Sequence, residues 1–366
     1  MRAAATLILK LDKYILKKYI KTFFLALALI IVIVITFDIS EKLDDFLHNH
    51  APLSKIIFQY YFSFIPQFVN TYSPLFIFIS VLFFTSKMAS NSEIIAILGS
   101  GISYRRLLRP YTYGSVIVAL IVLILGNFVI PATNQTLIDF ESHYIKTVRR
   151  SYYSNVHFQA APHTQVFAES FDLHQNIGYK FCKDIYDDDG HLLSRSYADQ
   201  IVYDSLSDTW EAHGYYKRTI NGLDEHLTHS YQAKLKMALT PADFSHSKKH
   251  ITEMNTFELM KHIRREELRG SGAVTASKIE LYQRLLNPLA VVVMTFIGVA
   301  VSSRKTRGGV GLHLAIGISI AFAFVVFMKV TTVFATNSNL SPFLAVLLPQ
   351  LIFGIAAAFL IKTAPK

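Results

Sequence analysis

The sequence predicts an α-helical membrane protein with six transmembrane helices, three on either side of an inserted β-rich domain. Three observations predict it. The chain of 366 residues is 52% hydrophobic and only 17% charged, with a mean hydropathy of +0.33. A soluble protein carries about 25% charged residues, so this chain lacks the charge to cover a water-facing surface. Six apolar runs are long enough to cross a bilayer, which takes roughly 20 residues per helix. The formal net charge of +10 is confined to the apolar parts: residues 131–284 carry a net −2 and the remainder a net +12. A nucleic-acid surface would place basic residues on a soluble face interleaved with aromatics, and that pattern is absent.

The chain therefore divides into residues 1–130, 131–284 and 285–366. The runs are Tyr19–Phe37, Ile56–Phe84, Tyr111–Ile130, Leu285–Val301, Leu312–Phe334 and Phe343–Ile361. Pro66 and Pro74 fall inside the second, which predicts a kinked or tilted helix. The first lacks a small-residue cleavage site and is too long for a signal-peptide core. Short-loop charge sets the orientation. With the N-terminus inside, the cytoplasmic face collects 15 basic residues against two acids, Asp12 and Glu93. Both termini are then cytoplasmic, and residues 131–284 lie outside, in the periplasm of a Gram-negative cell.

Within that segment Val166–Phe171, Gly178–Tyr186, Ala198–Tyr203, Thr209–Tyr216 and Tyr231–Leu239 read as strands separated by turn residues. Such spacing predicts a β-sandwich, jelly roll or related open sheet. Asn255 with Glu258 three residues on fits a helix cap, and Gly270-Ser271-Gly272 breaks the helix that follows. A single cysteine, Cys182, excludes an intramolecular disulfide framework.

Candidate chemistry is sparse. Gly308-Gly309-Val310-Gly311 has no following lysine and is no phosphate-binding loop. His226 and His229 do not form a zinc motif. Asp187–Gly190 lacks the alternating ligands of a calcium loop and reads as a hairpin turn. No nucleophile elbow or catalytic triad pattern is present, so the chain reads as no enzyme, with no cofactor or metal of its own.

The informative segment is the loop between the second and third runs. Ser90-Asn91-Ser92-Glu93 fits a capping box with Ser90 as N-cap, and Gly99 and Gly101 end the helix, placed at about residues 90–101. A helix this short is unstable alone in water. It packs either on the membrane interface or on a partner protein, and the residues leave both open.

The string Ser92-Glu93-Ile94-Ile95-Ala96-Ile97-Leu98-Gly99-Ser100-Gly101-Ile102-Ser103, with Leu107-Leu108-Arg109-Pro110, resembles the hallmark loop of the LptF/LptG permeases. These are membrane subunits of the lipopolysaccharide-export ABC transporter. The likeness continues in Glu280–Pro288, in Ser303–Gly309, and in Ser341-Pro342 and Leu348-Pro349-Gln350. It implies a heterodimer with a second permease of the same type and a cytosolic ATPase dimer that binds the ATP. It further implies a β-jellyroll-like fold for the inserted periplasmic domain, a periplasmic jellyroll bridge protein as acceptor and lipopolysaccharide as cargo. The loop would be the coupling helix, with Ser92, Glu93, Ile94, Ala96, Ile97, Gly101 and Arg105 facing the ATPase.

On that reading Lys42 and Lys329 are candidate contacts for lipid phosphates, and Phe171 and Phe181 for acyl chains. The competing readings are a solvated helix around Lys42, snorkelling for Lys329 and plain core for the phenylalanines. Gly317/Ala321 and Gly354/Ala358 have small-xxx-small spacing, and the fifth run would help form the permease seam. Two other classes compete: a different ABC-type permease or lipoprotein-release subunit, and a membrane-anchored enzyme or sensor.

Overall fold

The structure is a computed structural model. It describes residues 2–145, 152–172, 175–205, 207–237, 239–244, 248–268, 274–304, 309–338 and 340–363. The predicted break at Gly270–Gly272 and the basic residues Lys305 and Arg307 lie outside these. The chain forms two compact units, one of residues 1–140 with 278–366 and one of residues 141–277.

Six long apolar helices make up the first unit: α1 (Arg2–His48), α2 (Leu53–Ser90), α4 (Tyr104–Tyr144), α7 (Val274–Ser302), α8 (Gly309–Asn337) and α9 (Pro342–Lys362). The short α3 (Glu93–Gly99) lies between α2 and α4. Each long helix extends beyond its apolar run, because the helical hydrogen-bond ladder continues where the bilayer ends. Two π-helical turns interrupt them, Ile56–Tyr61 in α2 and Leu125–Val129 in α4. Each stands within about a turn of a proline, Pro66 or Pro131, whose missing N–H and ring disturb the ladder.

The helices share one core, with Tyr19, Ile77, Phe78, Tyr111, Ala290 and Met294 at its centre. Polar side chains inside it are paired across helices. The Tyr19 and Thr295 hydroxyls are 3.0 Å apart, those of Thr85 and Tyr111 3.1 Å, and Ser86 Oγ meets His313 Nδ1 at 2.8 Å. α8 approaches α2 closely at Gly317, where an added Cβ would sit 2.2 Å from Leu82 Cδ1 and force that side chain to move. The Gly317–Ala321 stripe is thus spent on α2 within this chain, and the exposed residues of α8, such as Phe322 and Val333, lie elsewhere on the helix.

The second unit is one open, six-stranded antiparallel sheet in the order β1 to β6. The strands are β1 (Tyr152–Ala161), β2 (Thr164–Asp172), β3 (Ile177–Tyr186), β4 (Leu192–Asp204), β5 (Thr209–Asn221) and β6 (Asp224–Leu235). Of the three β architectures the spacing allowed, the open sheet is the one formed. Two helices follow it, α5 (Lys248–Glu253) and α6 (Thr256–Leu268). The Asn255 cap is present: Asn255 Oδ1 accepts from the Glu258 amide at 2.9 Å, and Glu258 accepts from the Asn255 amide at 3.1 Å.

A flat single sheet cannot enclose a core, and this one bends. Same-face residues on a regular strand are spaced by two, yet here the buried positions step by three: Ala168 to Phe171, Gly178 to Phe181, Ala198 to Ile201. The step falls on one transverse line through Glu169, Lys180, Asp199 and Gly214. Lys180 and Gly214 there take left-handed φ of 48° and 62°, and Lys180 pairs with Glu169 at 2.6 Å. Each strand turns over at this line, as at a bulge, so both halves of the sheet face one apolar cluster of Phe158, Phe171, Phe181, Trp210 and Phe244.

The outward face carries the ion pairs. Asp184 accepts from Arg195 in a two-pronged contact at 2.7 Å for both bonds. Burial opposes the Asp184 charge, but Arg195 outweighs it and holds the carboxyl below its ordinary value. The beside-lying Cys182 thiol is pushed up to about 11, first by burial and then by Asp184, which leaves little reactive thiolate at neutral pH.

Candidate functional site

The loop between α2 and α4 concentrates the unusual geometry. The capping box expected at Ser90 is not formed. Ser90 ends α2, and Ser92 stands at the N-cap of α3 with a left-handed φ of 61°. The reason is competition for the Glu93 carboxylate. Rather than reaching back to the Ser90 backbone amide, it accepts from Tyr14 Oη at 2.9 Å and from Lys18 Nζ at 3.0 Å, both on α1, and from the Asn91 side chain. A hydrogen bond to a charged donor is roughly twice as strong as a neutral one, so the interhelical contact wins. Lys18 also lies over the Tyr14 ring, 4.3 Å from its centre.

Burial opposes the Glu93 charge, while the Lys18 and Tyr14 hydrogen bonds and the Lys18 charge favour it. The balance holds the carboxyl below its ordinary value. A depressed carboxylate stabilises the fold above its ordinary pKa and loses that contribution as pH falls through the folded-state value.

A second strut stands beside the first. Arg106 grips Asp12 with two guanidinium nitrogens, at 2.8 and 2.5 Å. Ser103 Oγ accepts the Arg106 amide at 3.3 Å and starts the next helical turn. Asp12 and Glu93, the two acids that the charge pattern assigns to this face, are therefore both used to tie the loop to α1. Sequence reasoning missed Tyr14, Lys18, Asp12 and Arg106 as site residues. Their partners lie 75 to 94 positions away, and the scarcity of acids was the available signal.

α3 has two faces. Ile94 is buried in the helical core, and Ile97 and Leu98 pack against it. Ile95, Ala96 and Gly99 are exposed, as are Arg105 and Arg109 in the segment that follows. Gly101, at φ +86°, ends the helix in the left-handed conformation that glycine adopts freely. Of the predicted loop residues, Ala96, Gly101 and Arg105 present outward, Ser92 and Ile97 are half-buried, and Ile94 and Glu93 face the chain's own helices.

The candidate lipid contacts are dispersed. Lys42 is held by Asp38 at 2.5 Å and by the Tyr60 hydroxyl, and Tyr60 and Tyr61 both donate to Asp38 at 3.1 Å. Lys329 is exposed on α8. Phe171 and Phe181 are fully buried in the sheet core, Phe171 stacked on Phe244 at 4.4 Å. Asp187, Asp189 and His191 form the one group of metal-type ligands among the described residues. They lie in the exposed β3–β4 turn, where Asp187 accepts the His191 amide at 2.7 Å.

Six apolar helices long enough to cross a membrane, split around an inserted open sheet and with a short helix clamped on the second loop, define a multi-pass membrane protein. Residues 13–363 match the family described as lipopolysaccharide export system permease LptF/LptG, and the chain belongs to that family. Among curated proteins none matches this chain. Family membership makes it a permease subunit of the lipopolysaccharide-export ABC transporter, a transport protein and no enzyme. It sets aside the other ABC-type permeases and the anchored enzyme weighed above.

Proposed function

We propose that the chain sits in the bacterial inner membrane with both termini in the cytoplasm and its β-rich domain in the periplasm. A second LptF/LptG-type permease pairs with it, and a cytosolic ATPase dimer docks on α3. Lipopolysaccharide drawn from the membrane passes by way of the β-rich domain to a periplasmic jellyroll bridge protein. The positive-inside charge pattern supports the orientation. The observation that carries the docking reading is the two-faced α3. Its inner face is fixed by Ile94, Glu93 and Lys18, while Ile95, Ala96 and Gly99 remain exposed. A short helix fixed in this way transmits displacement to α1 and α4, where a frayed one would absorb it.

Among the lipid candidates, Lys329 is the more available cation, because a phosphate at Lys42 has to compete with Asp38. Phe171 and Phe181 meet an acyl chain only when the sheet core opens.

Purification from the native membrane in mild detergent tests this reading. The chain is expected to bring down a second permease and an ATPase, and Ile95→Asp is expected to lose the ATPase while keeping the permease. Isolation without any ATPase, or an Ile95→Asp complex of unchanged composition, contradicts it.

A further inference from the structure

Directly opposed residues of an antiparallel pair share a face. One such row crosses the whole sheet: Phe158, Val166, Lys183, Ser196, Lys217 and Thr228. Its first two members are buried in the apolar core, so the row lies on the inward face, and it opens towards the exposed Lys217 and Thr228. Two lysines thus flank a buried serine inside the bent sheet. Neither has a carboxylate partner among the described residues. Between the transverse line and the hairpin ends, the inward strand positions carry one acid, Asp224, opposite Asn221 at the far end of the β5–β6 pair and four residues along β6 from Thr228. Asp184 and Glu225 are on the outward face and are each paired with an arginine.

An uncompensated cation that is half-buried, as Lys183 is, is costly, whereas Lys217 stands exposed at the open end of the row. Burial, and then the nearby Lys217 charge, push the Lys183 amine below its ordinary value. The lysines stand two strands apart, about 10 Å between backbones. Their flexible stems are long enough to span that distance from either side of Ser196, whose Oγ accepts from the Tyr215 hydroxyl at 3.2 Å. The serine proton remains free to donate.

We infer that Lys183, Ser196 and Lys217 form an anion site on the inward face of the sheet that receives a phosphate-type group. Two ammonium groups match a dianionic phosphate monoester better than a single carboxylate. This rests on the transport reading only in naming a glycolipid headgroup as one source of that phosphate, free phosphate being the other. The site lies beside the apolar cluster, whose Phe158 and Phe181 are buried in the closed sheet, so a ligand places its charge on the lysines and reaches those rings only when the core opens.

The full chain in lipid nanodiscs is treated with an amine-acylating reagent, and labelling of Lys183 and Lys217 is read by mass spectrometry against Lys180 and Lys234. A phosphorylated glycolipid is expected to slow labelling of the pair about tenfold, the scale of one charge-assisted hydrogen bond, while its dephosphorylated analogue does not. Protection by inorganic phosphate alone also upholds the site and assigns it to the free ion. In parallel, Lys183→Met with Lys217→Met is expected to weaken binding of the phosphorylated glycolipid about tenfold or more. Labelling within twofold under all three probes, or unchanged affinity in the double variant, overturns the inference. Loss of ATPase copurification overturns the transport reading alone, so the two fail separately.

Discussion

Glu93→Lys is expected to release α3 from α1 and cut ATP-driven export at least about tenfold. The carboxylate is about one-third exposed and sits 3.0 Å from Lys18. Solvent screening limits the simple loss of the pair to about 0.5–1 kcal/mol, which is the effect expected of Glu93→Gln. Reversal adds a like charge, and two like charges held about 4 Å apart repel by about 1 kcal/mol in water and up to about 4 kcal/mol near a protein surface. A helix of two turns has no intrinsic stability to set against that. Hydrogen exchange at the α3 amides is expected to quicken in Glu93→Lys, with the ATPase lost from the complex. Adding Lys18→Glu restores the opposite-charge pair and is expected to recover both. Unchanged exchange and composition in the single variant, or no recovery in the double, contradicts this role for the pair.

Trp210→Ala is expected to unfold the β-rich domain at ordinary temperature or close to it. The indole is completely buried, and its Nε1 donates to the Leu239 carbonyl at 2.8 Å. It touches three rings, with centroids at 5.0 Å to Tyr203, 5.5 Å to Phe244 and 6.0 Å to Phe171. Truncating a buried Trp costs about 3–5 kcal/mol, and the orphaned carbonyl about 1 kcal/mol more. Domain stabilities are typically about 5–15 kcal/mol, so most of the margin is lost. Limited proteolysis of the full chain is expected to cut within the sheet in Trp210→Ala and not in the parent. An equally resistant variant contradicts the view that Trp210 pins the bent sheet to the segment after it.

The spans were legible because a run of some 20 apolar residues has few other uses. The strands between Val166 and Tyr216 were legible from alternation and turn residues. β1 escaped, since its clear alternation is limited to the stretch from Val156 to Ala160 and its face is set by pairing with β2. β6 was misplaced towards Leu239. It is an edge strand exposed over most of its length, so no buried face marks its register. The fold line through Lys180 and Gly214 is a property of neighbouring strands together and leaves no local pattern.

The loop was found by its residues but misread at its key carboxylate. A capping box is a three-residue rule, and the interaction that displaced it joins Glu93 to residues on another helix. What sequence did supply was the count of acids on that side, and both proved to be structural ties. The two lysines of the sheet interior were equally silent, because adjacency across three strands needs the register.

The central claim is that this permease couples ATP hydrolysis to lipopolysaccharide movement through α3. The chain, its partner permease and the ATPase are reconstituted in proteoliposomes holding lipopolysaccharide, and its transfer to the bridge protein is followed with and without ATP. ATP-dependent transfer that falls at least about tenfold with Glu93→Lys is the predicted result; transfer that ignores ATP, or runs equally well with Glu93→Lys, would contradict it.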